Sequence, residues 1–297
     1  MRIVTRPDFD GVVCAVLLLE VENISQPIKW VQPSNMQKGR VPIFKDDIIA
    51  NLPYRENCAL WFDHHYTNQL QQRFKGAFRI APSAAGVIFS YYNGKFNQDY
   101  NELVEFTDKI DSADLTEEEV NNPENDPYIL LSMTVNGRDT TDEAYWNRLV
   151  DLLRTTDIDG VMADPEVKRR CRRVVEDNRN YRRLILAHTR LEEHVSVTDF
   201  RTLFPAPDGN RFLVYVLFPE AVVSVRIRHD DQDHENIIVN VGHSIFNRNC
   251  RVNVGHMLSQ FEGGGHPGAG SCTFHESKAD EYISRIIDVL VKNEANA

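Results

Sequence analysis

The first hundred residues alternate between short apolar runs and longer helix-like stretches, and nothing else in the sequence restricts the fold as much. RIVT (residues 2–5) reads as a strand, PDFDG as a turn, and VVCAVLLLEVEN (from residue 12) as a buried helix. IKWVQP (from residue 28) and CALWF (residues 58–62) read as two further strands. PSAAGVIFSYY (from residue 82) begins with Pro and Ser and continues apolar, as a helix start does. Strands alternating with helices imply an α/β layer with a mostly parallel sheet. The apolar run at residues 12–19 is too short to span a bilayer. It follows Asp8 and Asp10 and lacks a small-residue cleavage site, which argues against a signal peptide.

KDDIIANLP reads as helix-like, with Asp46 and Asp47 at its start, and FTDKIDSADL places Asp108, Asp111 and Asp114 around another helix end. NNPEND (residues 121–126) is loop. The charged stretch from Asp164 reads as a long exposed helix joining two domains. Its arginines are either a phosphate site or, the preferred reading, a solvated face laced with acid-base pairs. FLVYVLF (residues 212–218), VSVRIRH (223–229) and NIIVNVG (236–242) read as strands. VGHMLSQFEG reads as a short helix, GGGHPGAG as a loop, SCTF as a last strand and ESKADEYISRIIDVLVKN as a last amphipathic helix. The expected domains are residues 1–160, a helical connector at 161–194, and a smaller α/β domain at 195–297. DIDG at Asp157 echoes DFDG at Asp8, but it follows no strand and opens no apolar helix, so it is set aside.

Composition narrows the partners. The 297 residues carry a formal net charge of -11, the wrong sign for gripping long nucleic acid through many phosphates. A short phosphorylated ligand remains open if something local neutralises it, and a metal ion is the obvious means. The five cysteines form no CxxC pair and read as reduced thiols of a cytoplasmic protein.

WFDHHYTN (residues 61–68) sets two histidines side by side behind an aspartate. On a strand, adjacent side chains point to opposite faces. At a strand end, both rings can reach one site. Ligands of parallel sheets collect at the carboxyl ends of strands, and both PDFDG and DHH fall there. Asp8 and Asp10 would repel each other when buried, and a divalent cation removes that repulsion. Carboxylate oxygen suits magnesium or manganese, and an imidazole shifts the preference toward manganese or another transition metal. The plainer alternative is a solvated turn with an N-capping aspartate. Asp63 is suited to orient one of the rings.

Asp8-Phe9-Asp10-Gly11, Asp47, Asp63-His64-His65 and Asp111-Ser112-Ala113 resemble, in order, the four motifs of the DHH phosphoesterase superfamily. Gly263-Gly264-Gly265-His266-Pro267-Gly268-Ala269-Gly270 looks like the glycine-rich signature of its DHH-associated C-terminal domain. The resemblance spans nearly the whole chain, and the layout looks like the exopolyphosphatase-like and oligoribonuclease/pAp phosphatase groups. It implies a metal-binding domain and a smaller α/β domain across a cleft. It also implies a two-metal site, usually Mn2+, with Mg2+ as the alternative. By motif matching, Asp47 would bridge both ions, Asp10, His64 and Asp111 would complete one site, and Asp8 would belong to the other. His65 would face the scissile phosphate, with Asp63 and Arg6 in the catalytic set. Gly263, Gly264 and Gly265 would present backbone amides to an anion. His266, Arg226 and His243 are candidate phosphate or base contacts, as are Arg228 and Arg251. Ser83 would cap a helix whose N-terminus helps to hold phosphate.

The chain departs from the family at one point. The first motif carries no histidine, and Arg6 stands where that ligand is expected. A guanidinium cannot ligate a cation. Either the first metal binds weakly or only with substrate, or Arg6 contacts phosphate directly. The preferred reading is a metal-dependent hydrolase of short oligonucleotides, linear dinucleotides or pAp. Exopolyphosphatase activity is the enzymatic alternative, and a nucleotide sensor with little turnover is the non-enzymatic one. The expected partners are a small phosphorylated substrate or short single-stranded oligonucleotide and no membrane, with a homodimer admitted.

Overall fold

Ile3, Val4, Ile48, Ile49, Trp61 and Phe62 are inaccessible to solvent. They form the unbroken apolar runs that a parallel sheet covered on both faces requires. The computed structural model describes residues 1–137 and 141–296. The chain divides into two compact units, Met1–Leu115 with Pro123–Val174, and Thr116–Asn122 with the chain from Val175 onward. Among the described residues no helix is long and apolar enough to cross a membrane.

The first unit holds strands β1 (Arg2–Thr5), β2 (Lys29–Trp30), β3 (Asp47–Ala50), β4 (Leu60–Asp63) and β5 (Gly76–Phe78). They form a sheet of order β2-β1-β3-β4-β5, parallel throughout. Its helices are α1 (Phe9–Val21), α2 (Pro33–Gln37), α3 (Ala84–Tyr91) and α4 (Asn101–Asp111). After α5 (Glu117–Asn121), which belongs to the second unit, come α6 (Pro127–Ser132), α7 (Glu143–Thr155) and α8 (Ile158–Ala163). Helix α9 (Pro165–His188) contains the division between the units. Helix α1 is apolar on all sides because it is central. Val12, Val13, Val16, Leu17 and Leu18 are fully buried, with α3, α4 and α7 packed around it. Each such side chain contributes about 1.5–3 kcal/mol of burial.

The second unit adds β6 (Thr189–Glu192), β7 (Val195–Asp199), α10 (Leu213–Leu217), β8 (Val223–His229) and β9 (Asn236–His243). It closes with α11 (Val254–Leu258), β10 (Gly263–His266), β11 (Ala269–His275) and α12 (Ala279–Lys292). The sheet order is β10-β11-β9-β8-β7-β6, antiparallel except for the β7–β8 pair. One face, with Val225, Ile227, Val239, Val241, Cys272 and Phe274, shares a core with Ile283, Ile286, Ile287 and Leu290 of α12. The strands alternate accordingly between buried apolar and half-buried polar residues.

Four segments differ from the sequence reading, the first being TRLE at the end of the charged stretch from Asp164, which forms strand β6 instead of continuing the helix. KDDIIANLP carries strand β3 instead of a helix-like stretch. Its apolar residues are consecutive, and a short run of that kind fits a buried strand or a helix equally well. FLVYVLF forms the short helix α10 instead of a strand. The tertiary setting decides there, since the Tyr215 hydroxyl donates to the Gly242 carbonyl of β9 at 2.8 Å. GGGHPGAG is a hairpin in which β10 pairs with β11, not a free loop.

Candidate metal centre

Strands β1, β3, β4 and β5 lie side by side with their carboxyl ends on one edge. The register Thr5↔Ala50↔Phe62↔Ala77 keeps those ends level. Each strand then delivers residues to the same place. β1 is followed by Arg6, Asp8 and Asp10, and β3 by Asn51. β4 ends on Asp63 and runs into His64 and His65, and β5 is followed by Ala81 and Ser83. The turn after β1 requires Gly11, because a Cβ there would sit 1.9 Å from the Arg6 carbonyl oxygen.

Asp8 caps α1. Its Oδ1 accepts from the Gly11 amide at 2.8 Å and from Asn51 Nδ2 at 3.0 Å. Its Oδ2 lies 2.8 Å from Arg6 Nε. Asp10, 2% exposed in the first turn of α1, accepts from the Ala84 amide at 3.0 Å and the Ala85 amide at 2.8 Å. Both amides belong to the first turn of α3, where an anion is favoured. They do not offset the burial. Burial first, and then the charge of Asp8, push the Asp10 carboxyl up to about 7. Asp111 ends α4 and is also raised to about 7, by burial and then by the charges of Asp10 and Asp8.

His64 completes this half of the site. Its Nδ1 lies 2.9 Å from the Ala81 carbonyl oxygen, which can only accept, so Nδ1 carries a proton, and in the neutral ring Nε2 carries the lone pair. That Nε2 lies 3.3 Å from Asp111 Oδ2 and 3.8 Å from Asp10 Oδ2. It is buried and without a hydrogen-bond partner. An orphaned buried lone pair between two carboxylates needs an explanation, and a cation supplies one. The ligand atoms of Asp10, His64 and Asp111 all lie within 4.8 Å of one another. Two carboxylates and one imidazole suit a divalent ion of the magnesium or manganese kind.

Asp63, His64 and His65 are equally close together, but both Asp63 oxygens are already taken by donors of this chain. Asp63 is fully buried, and its Oδ1 accepts from the His64 amide at 2.8 Å and from His65 Nδ1 at 2.8 Å. Its Oδ2 accepts from Asn68 Nδ2 at 2.6 Å. Asp63 is therefore a positioning residue for the His65 ring. Burial pulls the His65 pKa down, but the hydrogen bond to Asp63 and the Asp63 and Asp111 charges together outweigh it and leave it raised.

Asp47 is not brought to this edge. It begins β3 in register with Arg2, at the amino end of the sheet. The strand rises ~3.3 Å per residue, so Asp47 sits ~10 Å from the end that delivers ligands. Its carboxylate takes Arg2 Nε at 2.9 Å, Arg2 Nη2 at 2.7 Å and the Phe44 amide at 2.8 Å. The expected bridging role fails for that reason. The residue that β3 does deliver is Asn51, missed in the sequence. Asn51 is 1% exposed, with φ 55°, a left-handed conformation that asparagine tolerates better than most residues. Ser83 caps α3 by accepting from the Gly86 amide at 2.9 Å. The amides of that helix end hold Asp10, which removes the expected phosphate site there.

In the second unit, Gly263–His266 form edge strand β10. Register places Arg226, Asn240, Ser271 and Gly264 in one row across four strands. Arg226 Nη2 donates to Asn240 Oδ1 at 3.3 Å, and Asn240 Nδ2 to Ser271 Oγ at 3.1 Å. A second row on the same face runs Ser224, Gly242, Ala269 and His266. His243 is tied to backbone, with Nε2 2.9 Å from the Val252 carbonyl oxygen. Arg228 is held by Asp231 at 3.2 Å.

No family model and no curated protein matches the chain. Solved structures do. The pGpG-specific phosphodiesterase PggH from Vibrio cholerae superposes with a TM-score of 0.86, at 33% identity over 99% of both chains. RecJ in complex with Mn2+ from Thermus thermophilus gives a TM-score of 0.58, at 13% identity over 98% of this chain and 52% of its own. An exopolyphosphatase-related protein from Bacteroides fragilis gives 0.52, at 11% identity over 98% of this chain and 92% of its own. The last two likenesses are of fold.

Proposed function

The chain belongs to the DHH phosphoesterase superfamily, and from that premise we propose that it is a metal-dependent phosphodiesterase acting on a short linear dinucleotide of the pGpG kind. The full-length likeness to a pGpG-specific enzyme supports the substrate class. The observation that carries the chemistry is the partnerless, buried Nε2 of His64 between Asp10 and Asp111. A protein that only bound nucleotide would have no use for a ligand set that stays unfavourable until a cation neutralises it.

Bound by Asp10, His64 and Asp111, a divalent cation would withdraw charge from the scissile phosphoryl group and make an attacking water more acidic. The remaining work falls to this chain's own groups. The Ala81 carbonyl fixes the His64 tautomer, and the Ala84 and Ala85 amides fix the Asp10 rotamer. His65 keeps its Nδ1 proton on Asp63. Its raised pKa keeps a second proton on Nε2 in a larger share of molecules near neutrality, ready for the departing oxygen. Water adds to phosphorus and loses a proton to solvent. The bond from phosphorus to the alcohol oxygen breaks, and that oxygen takes the His65 proton. The products are a phosphate monoester and an alcohol. Arg6 would hold a non-bridging phosphate oxygen.

In the second unit, His266, Arg226 and the β10 glycines are candidate contacts for a phosphate or a base. The His243 amide donates to the Gly268 carbonyl of that hairpin at 2.8 Å, and its ring is tied to the Val252 carbonyl. The five cysteines are free thiols, which supports a reducing compartment, the cytoplasm.

The test is product release by metal-stripped protein given Mn2+ or Mg2+, against pGpG, pAp, a cyclic dinucleotide and polyphosphate. A His64→Ala control runs alongside. Metal-dependent cleavage of pGpG, lost in the control, is expected. Phosphate release from polyphosphate alone would move the reading to an exopolyphosphatase. Tight nucleotide binding without turnover would move it to a sensor.

A further inference from the structure

The two halves of the metal centre are built differently. Asp10, His64 and Asp111 leave ligand atoms facing one another, and one of them is a buried nitrogen with no partner. On the other side, Asp8 has both oxygens engaged. Oδ1 takes the Gly11 amide and Asn51 Nδ2, and Oδ2 takes Arg6. We propose that the chain works with a single divalent cation, held by Asp10, His64 and Asp111. The Arg6 guanidinium, fixed on Asp8, fills the place of a second cation. This rests on the hydrolase reading and goes beyond it, because the superfamily resemblance implies two metals.

Three observations support the single cation. The first is the missing bridge. Two cations ~3.5–4 Å apart repel each other, and an anionic side chain between them offsets that repulsion. Asp47, assigned that role by motif order, lies at the far end of β3 on Arg2. The edge of the sheet carries Asn51 instead, a neutral amide whose nitrogen donates to Asp8 and whose buried oxygen, though without a partner, brings no negative charge to bridge two cations. The second is charge. Asp8, Asp10 and Asp111 are three carboxylates, and one divalent ion with one guanidinium neutralises them. A second divalent ion would stand beside a guanidinium that cannot deprotonate.

The third observation is where Arg6 stands. It follows β1 at the carboxyl edge of the sheet, on the turn that delivers Asp8 and Asp10. Only Nε is engaged with Asp8, at 2.8 Å. Its two Nη groups have no hydrogen-bond partner among the described residues, and the side chain is 38% exposed. A planar fork with two open donors matches two oxygens of a phosphate. Arg6 thus supplies a fixed positive charge and a geometric grip that the first-motif histidine could give only through a metal.

The test counts metal ions directly. Metal-stripped protein is titrated with Mn2+ by calorimetry and by manganese EPR, with and without inorganic phosphate. The expected result is one ion per chain in both conditions and an EPR signal free of exchange coupling. A second ion, or a coupled signal in either condition, overturns the proposal. Arg6→Gln should keep the single Mn2+ with affinity within about threefold, while pGpG turnover falls about 100-fold or more. Equal turnover in Arg6→Gln would remove the role given to the guanidinium. The double variant Arg6→His with Asn51→Asp should take up a second ion and show coupling. If it still binds one, those two residues are not what excludes the second. Failure to bind any Mn2+, with no pGpG cleavage, would sink the hydrolase reading itself. Two ions with cleavage intact would sink only the single-cation inference.

Discussion

Asp10 and Asp47 are equally buried, each 2% exposed, in the same unit. Their surroundings have little else in common. Asp47, at the amino edge of the sheet, is met by both donors of the Arg2 fork and by a backbone amide. Asp10, at the carboxyl edge, is met by two backbone amides and faces a second carboxylate and a bare imidazole nitrogen. A buried carboxylate whose counter-ion is part of the chain is a structural element. One that is buried without a counter-ion marks a place where a cation must come from outside. Burial alone does not separate the two, and the partner does.

The sharpest way to break this contrast is to exchange the outcomes. His64→Ala or Asp10→Asn should abolish high-affinity Mn2+ binding and lower pGpG turnover at least ~1000-fold, the several kcal/mol a Lewis acid supplies to a phosphoryl transition state. Turnover within tenfold of wild type in either variant would mean the cation is held elsewhere. The next largest effect belongs to the other aspartate. Arg2→Ala leaves Asp47 buried and uncompensated, and should destabilise the protein by about 2–3 kcal/mol in urea unfolding. The Arg2→Met, Asp47→Leu double variant should recover most of that loss. Both should bind Mn2+ as the wild type does. A changed manganese affinity in the double variant would show that Asp47 reaches the centre after all.

The same contrast explains what the sequence could and could not convey. The parallel sheet was legible because RIVT and CALWF are apolar runs bounded by turn residues, and their ends coincide with the motifs. Asp8, Asp10, His64, His65 and Asp111 converge because they follow strand ends or end a helix that packs on α1. Asp47 misled because motif order records only sequence position. Whether an aspartate begins or ends a strand depends on the direction and limits of that strand, and IIA is too short to show either. Asn51 was invisible for the complementary reason. Nothing marks an asparagine after an apolar run as a partner of Asp8 until the neighbouring strand is in place. The β10 hairpin was hidden in glycines, which carry almost no pattern of burial to read.

A smaller and pH-dependent effect follows from the missing counter-ion. The Asp10 carboxyl is raised from its ordinary 3.8 to about 7. Between those values the folded protein holds a proton that the unfolded chain has lost. The metal-free protein is therefore favoured at low pH and loses stability as pH rises through that window. A cation takes the place of the proton and restores what is lost. The gap in melting temperature between Mn2+-loaded and metal-stripped protein should widen from pH 5 to pH 8. Asp10→Asn, although inactive, should stabilise the metal-free protein by about 1–2 kcal/mol at pH 8 and by almost nothing at pH 4, a trade of function against stability. A gap that stays constant with pH would mean that the carboxyl ionises without penalty, and Asp10 would then resemble Asp47.

The smallest expected effect isolates burial from pairing. On α9, Glu166 accepts from Arg169 Nη2 at 2.6 Å and from Arg170 Nε at 2.7 Å, a geometry as good as that between Asp47 and Arg2. Hydrogen bonds from those arginines hold the Glu166 carboxyl well below the usual carboxylate range. Arg169 is 60% exposed and Glu166 33% exposed, so water and salt screen the pair. Good geometry at the surface contributes little, because both groups are nearly as well solvated apart as together. Arg169→Ala should change stability by less than about 0.5 kcal/mol, with a difference that vanishes in ~1 M salt. It should leave pGpG turnover unchanged, since these arginines are engaged with carboxylates of their own unit. A loss above ~1 kcal/mol would show that pairing stabilises without burial, and the distinction between Asp10 and Asp47 would need a different cause. A tenfold rise in the substrate concentration at half-maximal rate would make the α9 arginines a phosphate-binding face after all.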